Sequence, residues 1–248
     1  IGWLSDHTRS RWGPRLPWLL TAALPPGISR EQALGVNINA LQNEQALAIE
    51  ICDLEDGDAR GIFKNLNLDL RVLSKLKMFV HAEPNDCGSG LEDIQDGELS
   101  VFIRIGSDFK NNFYEYEIPL KISNDFTVPY NAPEYPRVVW PAENDFNINF
   151  ELLKQIKINR NGSGVAVGDL YIENDPDRPD ARVSIKGNPN LGLVKSIMVG
   201  VRNPIQGSGC DPADKKSVEV WVNELRVFGL DERGGVAATD RIDLQMAD

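Results

Sequence analysis

The stretch GELSVFIRIGSDFKNNFYEYEIPLKI, residues 97–122, decides the fold. Leu99, Val101, Ile103 and Ile105 fall on one face, and beyond a Gly/Ser/Asp/Asn turn Tyr114, Tyr116, Ile118 and Leu120 repeat the pattern while Glu115 and Glu117 face the other way. Strand side chains alternate between faces, so the segment reads as two half-buried antiparallel strands. Upstream, Leu47, Ile49 and Ile51 and then Leu76, Met78 and Val80 carry the same period. Downstream, strands are expected at 165–172, 181–187, 193–202 and 217–228. In the last of these the inward parity moves from Val220 and Val222 to Leu225 and Val227, which predicts a bulge near Asn223-Glu224.

One helix interrupts the series. Asn149 can cap it, Phe150, Leu153 and Ile156 recur at helical spacing, and Asn161-Gly162 ends it. About eight strands between Gly/Asn/Asp/Pro turns, without βαβ alternation, predict a mainly β protein: an antiparallel two-sheet β-sandwich of jelly-roll type with one short helix. Residues 1–30, rich in Pro and Trp, read as an irregular lead-in, residues 31–235 as the sandwich, and residues 236–248 as a tail leading toward the next element of a larger protein. Ile1 reads as a cut end.

Composition narrows the function. The 248 residues carry 26 Lys and Arg against 37 Asp and Glu, a net charge of −11, with 42% apolar and 25% charged residues. That balance is globular, not disordered. An acidic surface argues against nonspecific nucleic-acid binding and against docking on anionic lipid. The longest apolar run, Trp18 to Leu24, is too short for a membrane helix and is stopped by Pro25-Pro26. The outward strand positions carry Lys75, Lys77, Glu115, Glu117, Arg182 and Lys186, so no lipid-facing belt of a transmembrane barrel is present in this segment.

Chemistry-bearing residues are few. Cys52, Cys87 and Cys210 form no zinc pattern; Cys87 and Cys210 sit in loops and are the expected disulfide, with Cys52 free. His7 and His81 belong to no nucleophile or metal motif, and His81 has the outward parity of a surface histidine. No catalytic residues are expected. The densest acid cluster, DLEDGDARG at 53–61, offers Asp53, Asp56 and Asp58 around Gly57 as a calcium candidate, although the same turn needs no metal to form. Exposed aromatics could stack a sugar ring, but Tyr114 and Tyr116 share a face with Ile118 and Leu120 and read as core. Asn161-Gly162-Ser163 matches an N-glycosylation acceptor and carries no assigned function.

Several blocks carry a family likeness: LPPGISRE (24–31), LQNEQALAIEICDLEDGDARGIFKNLNLDLR (41–71), LKMFVHAE (76–83), the 97–122 stretch, VVWPAENDFNINFELL (138–153), GNPNLGLVKSIMVGVRNP (187–204) and VEVWVNELRVFGLDERGG (218–235). In this order they resemble the SprA/Sov family, the giant outer-membrane translocons of the Bacteroidetes type 9 secretion system, linked with gliding motility and surface protein export. The resemblance covers roughly residues 24–248 and leaves residues 1–23 without a match. It implies a non-enzymatic soluble domain of a very large barrel protein, on the extracellular or periplasmic face of the outer membrane, with a structural, gating or partner-binding role. The implied partners are the rest of the barrel, other secretion-system subunits and exported substrates. Contact is expected at sheet edges and at the loops 84–97, 123–137 and 203–216. A cell-surface carbohydrate-binding jelly-roll module, calcium-stabilised, is the rival reading.

Overall fold

The computed structural model describes residues 46–88, 93–123, 128–129, 132–205, 211 and 214–229. Among them ten strands form two sheets, and every strand pairing is antiparallel. The strands are β1 (Leu47–Glu55), β2 (Ala59–Leu68), β3 (Lys75–Pro84), β4 (Ser100–Gly106), β5 (Phe113–Pro119), β6 (Phe146–Asn149), β7 (Tyr171–Asn174), β8 (Arg182–Lys186), β9 (Val194–Arg202) and β10 (Lys215–Phe228). The four-stranded sheet has the order β1-β10-β3-β6 and the six-stranded sheet the order β2-β9-β4-β5-β8-β7.

These orders make a jelly roll with an inserted hairpin. Without β7 and β8, the neighbours are β1 with β10, β2 with β9, β3 with β6 and β4 with β5. The pairs nest inside one another along the chain, and successive pairs fall in alternate sheets. Such nesting is a long hairpin rolled into two facing sheets. The β7–β8 hairpin and the helix preceding it, Phe150–Ser163, lie between β6 and β9 in sequence, and β8 adds to the free edge of β5.

The apolar faces meet in one core. Leu76, Met78, Val80 and Ala82 of β3 face Val101, Ile103 and Ile105 of β4 and Tyr114, Tyr116 and Ile118 of β5, all buried. The rings of Tyr116 and Phe146 pack 5.9 Å apart, joining the six-stranded sheet to the edge strand of the other. The two tyrosines are therefore core residues, as their parity predicts.

Two helices accompany the sandwich: a single turn, α1 (Tyr135–Val139), and α2 (Phe150–Ser163). The Asn149 side chain accepts the Glu151 amide at the start of α2, and Gly164 takes the left-handed conformation at its end, one residue past the serine that follows the expected stop. Phe150, Leu153, Ile156 and Arg160 form its buried face. The bulge expected in β10 is present: the register with β3 shifts between Asn223 and Arg226, and Glu224 has a φ of 51°.

Some expectations are corrected. β2 and β6 go beyond the strands read from periodicity. Residues 165–168 precede β7 as a loop and turn, so the strand expected at 165–172 begins only at Tyr171. The lead-in 1–30 and tail 236–248 lie outside the described residues.

Candidate functional site

The outward face of the six-stranded sheet holds the most organised polar group. Its residues are Arg104 on β4, Glu115 and Glu117 on β5, Arg182 on β8 and Arg202 on β9, brought side by side by register. Arg104 donates to the Glu115 carboxylate at 2.7 Å through Nε. Arg202 donates to the other Glu115 oxygen at 3.0 Å and also pairs with Glu117. Arg182 donates to Glu117 at 2.6 Å, and the Ser100 hydroxyl donates to the same oxygen at 2.6 Å.

Both glutamates are buried even though their strand parity is outward. The arginines cover them, so the charges expected to face water are instead neutralised by one another. Burial is tolerated because each carboxylate oxygen receives a charge-assisted bond. The guanidinium of Arg104 lies 4.0 Å from the Phe113 ring centroid, and that of Arg202 lies 4.9 Å from that of Phe102. Planar, weakly hydrated guanidinium suits such stacking better than ammonium. Gly200 makes room: a Cβ there would stand 2.5 Å from the Phe102 ring and 2.6 Å from the Arg60 carbonyl oxygen.

Three guanidiniums face two carboxylates, leaving one positive charge in surplus. Arg182, paired with Glu117, is the most exposed of the three, its side chain 47% accessible. A groove of about 480 Å³ opens over this lattice, walled by Leu170, Ile172, Pro204 and Ile205. Leu170, Ile172 and Ile205 are each about half exposed. The groove is thus cationic at its floor and apolar at its walls, on a chain of net charge −11. Parity located the glutamates, but nothing in local sequence links them to arginines on three other strands.

A second cleft runs along edge strand β6, between α2 and the 175–180 loop. There the buried Tyr116 hydroxyl donates to Asp175 at 2.6 Å, and burial first, then that bond, pushes the phenol far above its ordinary range. Asp145 lies at the same cleft with a buried, unpartnered Oδ1, and desolvation pushes its carboxyl up to about 6 against the opposing pull of Arg178 and Lys77.

The residues singled out from sequence fare differently. Cys87 is bonded to Cys52, not to Cys210, with Cα atoms 5.8 Å apart. The reason is topological: residue 85 stays hydrogen-bonded to Ser217 of β10, so the chain leaving β3 turns back across the sheet to the outward face of β1, where Cys52 stands. Cys210 lies outside the described residues. His81 is buried, contrary to the surface role expected, because Trp140 and the end of α1 cover its face; its Nδ1 meets the Val139 carbonyl at 2.7 Å.

The calcium candidates do not converge. Asp56 is buried and accepts the Asp211 amide at 2.8 Å, whereas Asp53 and Asp58 are exposed. Among the described residues, the one cluster of possible ligand atoms within 4.8 Å is Glu50 with Cys52 and Cys87, whose sulfurs are already joined. Of the candidate contact loops, residues 89–92, 124–127, 130–131, 206–210 and 212–213 lie outside the described residues. No described helix is long and apolar enough to cross a membrane.

Fold and face together define a jelly-roll β-sandwich with an arginine-floored groove on its larger sheet. A family model, SprA_N, described as "Motility related/secretion protein", matches residues 18–248. The chain belongs to that family, the one its sequence blocks resemble, and is a domain of a secretion- and motility-related protein. No curated protein matches it.

Proposed function

We propose that this chain is a non-enzymatic contact domain of an outer-membrane protein-export channel, the type 9 translocon, standing on one face of that membrane. It holds a partner subunit or a passing substrate through the outward face of its six-stranded sheet. The observation that carries this reading is the surplus guanidinium charge in an apolar-walled groove on an acidic protein. A rigid lattice fixes those charges in advance, so a partner meets them without an ordering cost. Family membership supports the secretion setting.

The test is charge reversal in the full-length parent protein. Arg182→Glu is expected to reduce surface export while the barrel still assembles, because Glu117 keeps Arg202 and Ser100. Normal export with every partner bound would overturn the contact role. Deleting residues 85–96 is a poorer probe, since Cys87 anchors the disulfide and Asp96 accepts the Ile122 amide.

A further inference from the structure

Independently of the contact reading, we propose that Asn161, at the end of α2, is a spontaneous modification site. The Gly162 amide converts it to aspartate, and the new carboxylate becomes the counter-ion of the buried Arg160. Arg160 is 1% exposed. Its Nη1 donates to the Gly187 carbonyl, while Nε and Nη2 both donate to Asn161 Oδ1, at 3.3 and 3.1 Å. These acceptors are neutral, and among the described residues no carboxylate pairs with it. Lys157, one helical turn earlier, donates to the Pro189 carbonyl at 2.8 Å, and burial first, then Arg160, lowers its pKa. Two cations thus meet here on neutral acceptors. A guanidinium enclosed in this way is costly, because such acceptors repay only part of its lost hydration.

Asn161 is the one asparagine of the chain followed by glycine. Without a Cβ, the glycine amide approaches the preceding side chain unhindered. A helix normally holds that amide away from attack. Here the hold is weakest, because Gly162 lies in the last turn and Gly164 leaves the helix in the left-handed conformation. Asn161 and Gly162 are both exposed, and a Cβ on Gly162 would meet nothing within 4 Å, so the turn has space to open and water reaches it.

In the first step hydroxide removes the Gly162 amide proton, the nitrogen attacks Asn161 Cγ to close a ring, and the Cγ–Nδ2 bond breaks to release ammonia. Water then opens the ring, so the net change is amide plus water to carboxylate plus ammonium. The Arg160 donors sit on the oxygen that becomes negative in each step, an arrangement that stabilises an oxyanion. They also choose the product. Polarised by Arg160, Cγ is the carbonyl that water attacks, which restores the ordinary backbone as aspartate; attack at the backbone carbonyl would give isoaspartate. The carboxylate keeps both guanidinium bonds and strengthens them by its charge. A carboxylate at a helix C-terminus is otherwise disfavoured by the helix dipole, so the guanidinium is what favours this product.

The experiment incubates the 248-residue chain at mildly alkaline pH and follows residue 161 by peptide mapping, with the urea-unfolded chain alongside. The folded chain should convert Asn161 to aspartate with little isoaspartate, whereas the unfolded chain gives both isomers. Gly162→Ala, which the open surroundings accept, should slow conversion at least about tenfold. Asn161→Asp, the product itself, should melt about 2–4 °C higher than the unconverted chain at about pH 7. That gain should disappear as pH falls below about 4, since a paired carboxylate stabilises only while ionised. Three results would each overturn the proposal: an amide that survives in the folded chain while the unfolded chain converts, isoaspartate as the main folded product, or an Asn161→Asp variant that melts no higher.

Discussion

Arg202 on β9 forms an ion pair with Glu117 on β5 across the intervening strand β4. The reach is two strand spacings, roughly 9–10 Å between backbones. It is possible because Ser100, the residue of β4 opposite Arg202, is small and itself donates to Glu117. Phe102, next on that face, lies flat over Gly200 and serves as a floor for the guanidinium.

Removing Glu117 therefore strips partners from Arg182, Arg202 and Ser100 at once. Glu117→Ala should destabilise the domain by about 2 kcal/mol, below the full cost of breaking a deeply buried pair because the arginines retain some water. By contrast, Glu143→Ala, which breaks the exposed pair with Lys121, should cost under about 1 kcal/mol. Denaturant midpoints with unchanged slopes measure both, and equal losses would show that the lattice adds nothing.

The Cys52–Cys87 bond closes a loop of sequence separation 35. Cys52→Ser with Cys87→Ser should lower stability by about 3–4 kcal/mol, on the chain-entropy estimate for a loop of that size. Nonreducing peptide mapping should recover Cys52 with Cys87. Recovery of Cys87 with Cys210 would contradict the described pairing.

Asp145 should make stability depend on pH in an unusual direction. Its folded pKa, about 6, lies above the ordinary 3.8, so the folded state holds the proton more tightly. The favourable contribution is complete below about pH 4 and is lost as pH rises through about 6. Asp145→Asn should then raise stability at pH 7 by on the order of 1 kcal/mol, with the difference vanishing near pH 4. Thermal melts across that window measure it; a variant less stable at pH 7 would refute the desolvated carboxyl.

Asp108 organises the turn between β4 and β5. Its carboxylate accepts the amides of Lys110, Asn111 and Asn112 and the side chain of Asn112, and these bonds, led by Asn111, hold its pKa near 2. Its contribution is present above about pH 4 and is lost only as pH falls through about 2. Asp108→Ala should cost about 1–2 kcal/mol at neutral pH, as loss of a turn-capping side chain does. Unchanged melting would mean that the backbone closes the turn unaided.

Legibility followed how local each feature is. The β4 and β5 stretch was readable because both strands bury one complete apolar face, so alternation is unbroken from Leu99 to Ile105 and again from Tyr114 to Leu120. β2 was not, because it is an edge strand with most of its residues exposed and with Ile62 and Leu66 as its inward apolar residues. β6 was legible in principle, since Phe146 and Ile148 alternate with Asn147 and Asn149, but four residues give a weak periodic signal. His81 had its face read correctly and its burial misjudged, because parity says which side a residue takes and not what covers that side.

The sequence by itself determined the alternating strands, the cap at Asn149, the bulge near Asn223 and the two-sheet class, because each is set by residues within a few positions of one another. Only the tertiary structure decided which strands became neighbours, which cysteine Cys87 met, and that Glu115 and Glu117 are enclosed by arginines. Those outcomes depend on contacts such as that of the Asp53 amide with the Ser217 hydroxyl, 164 residues apart. Strand order and register set such contacts by packing the whole core at once, and a local pattern of apolar and charged residues is compatible with many orders.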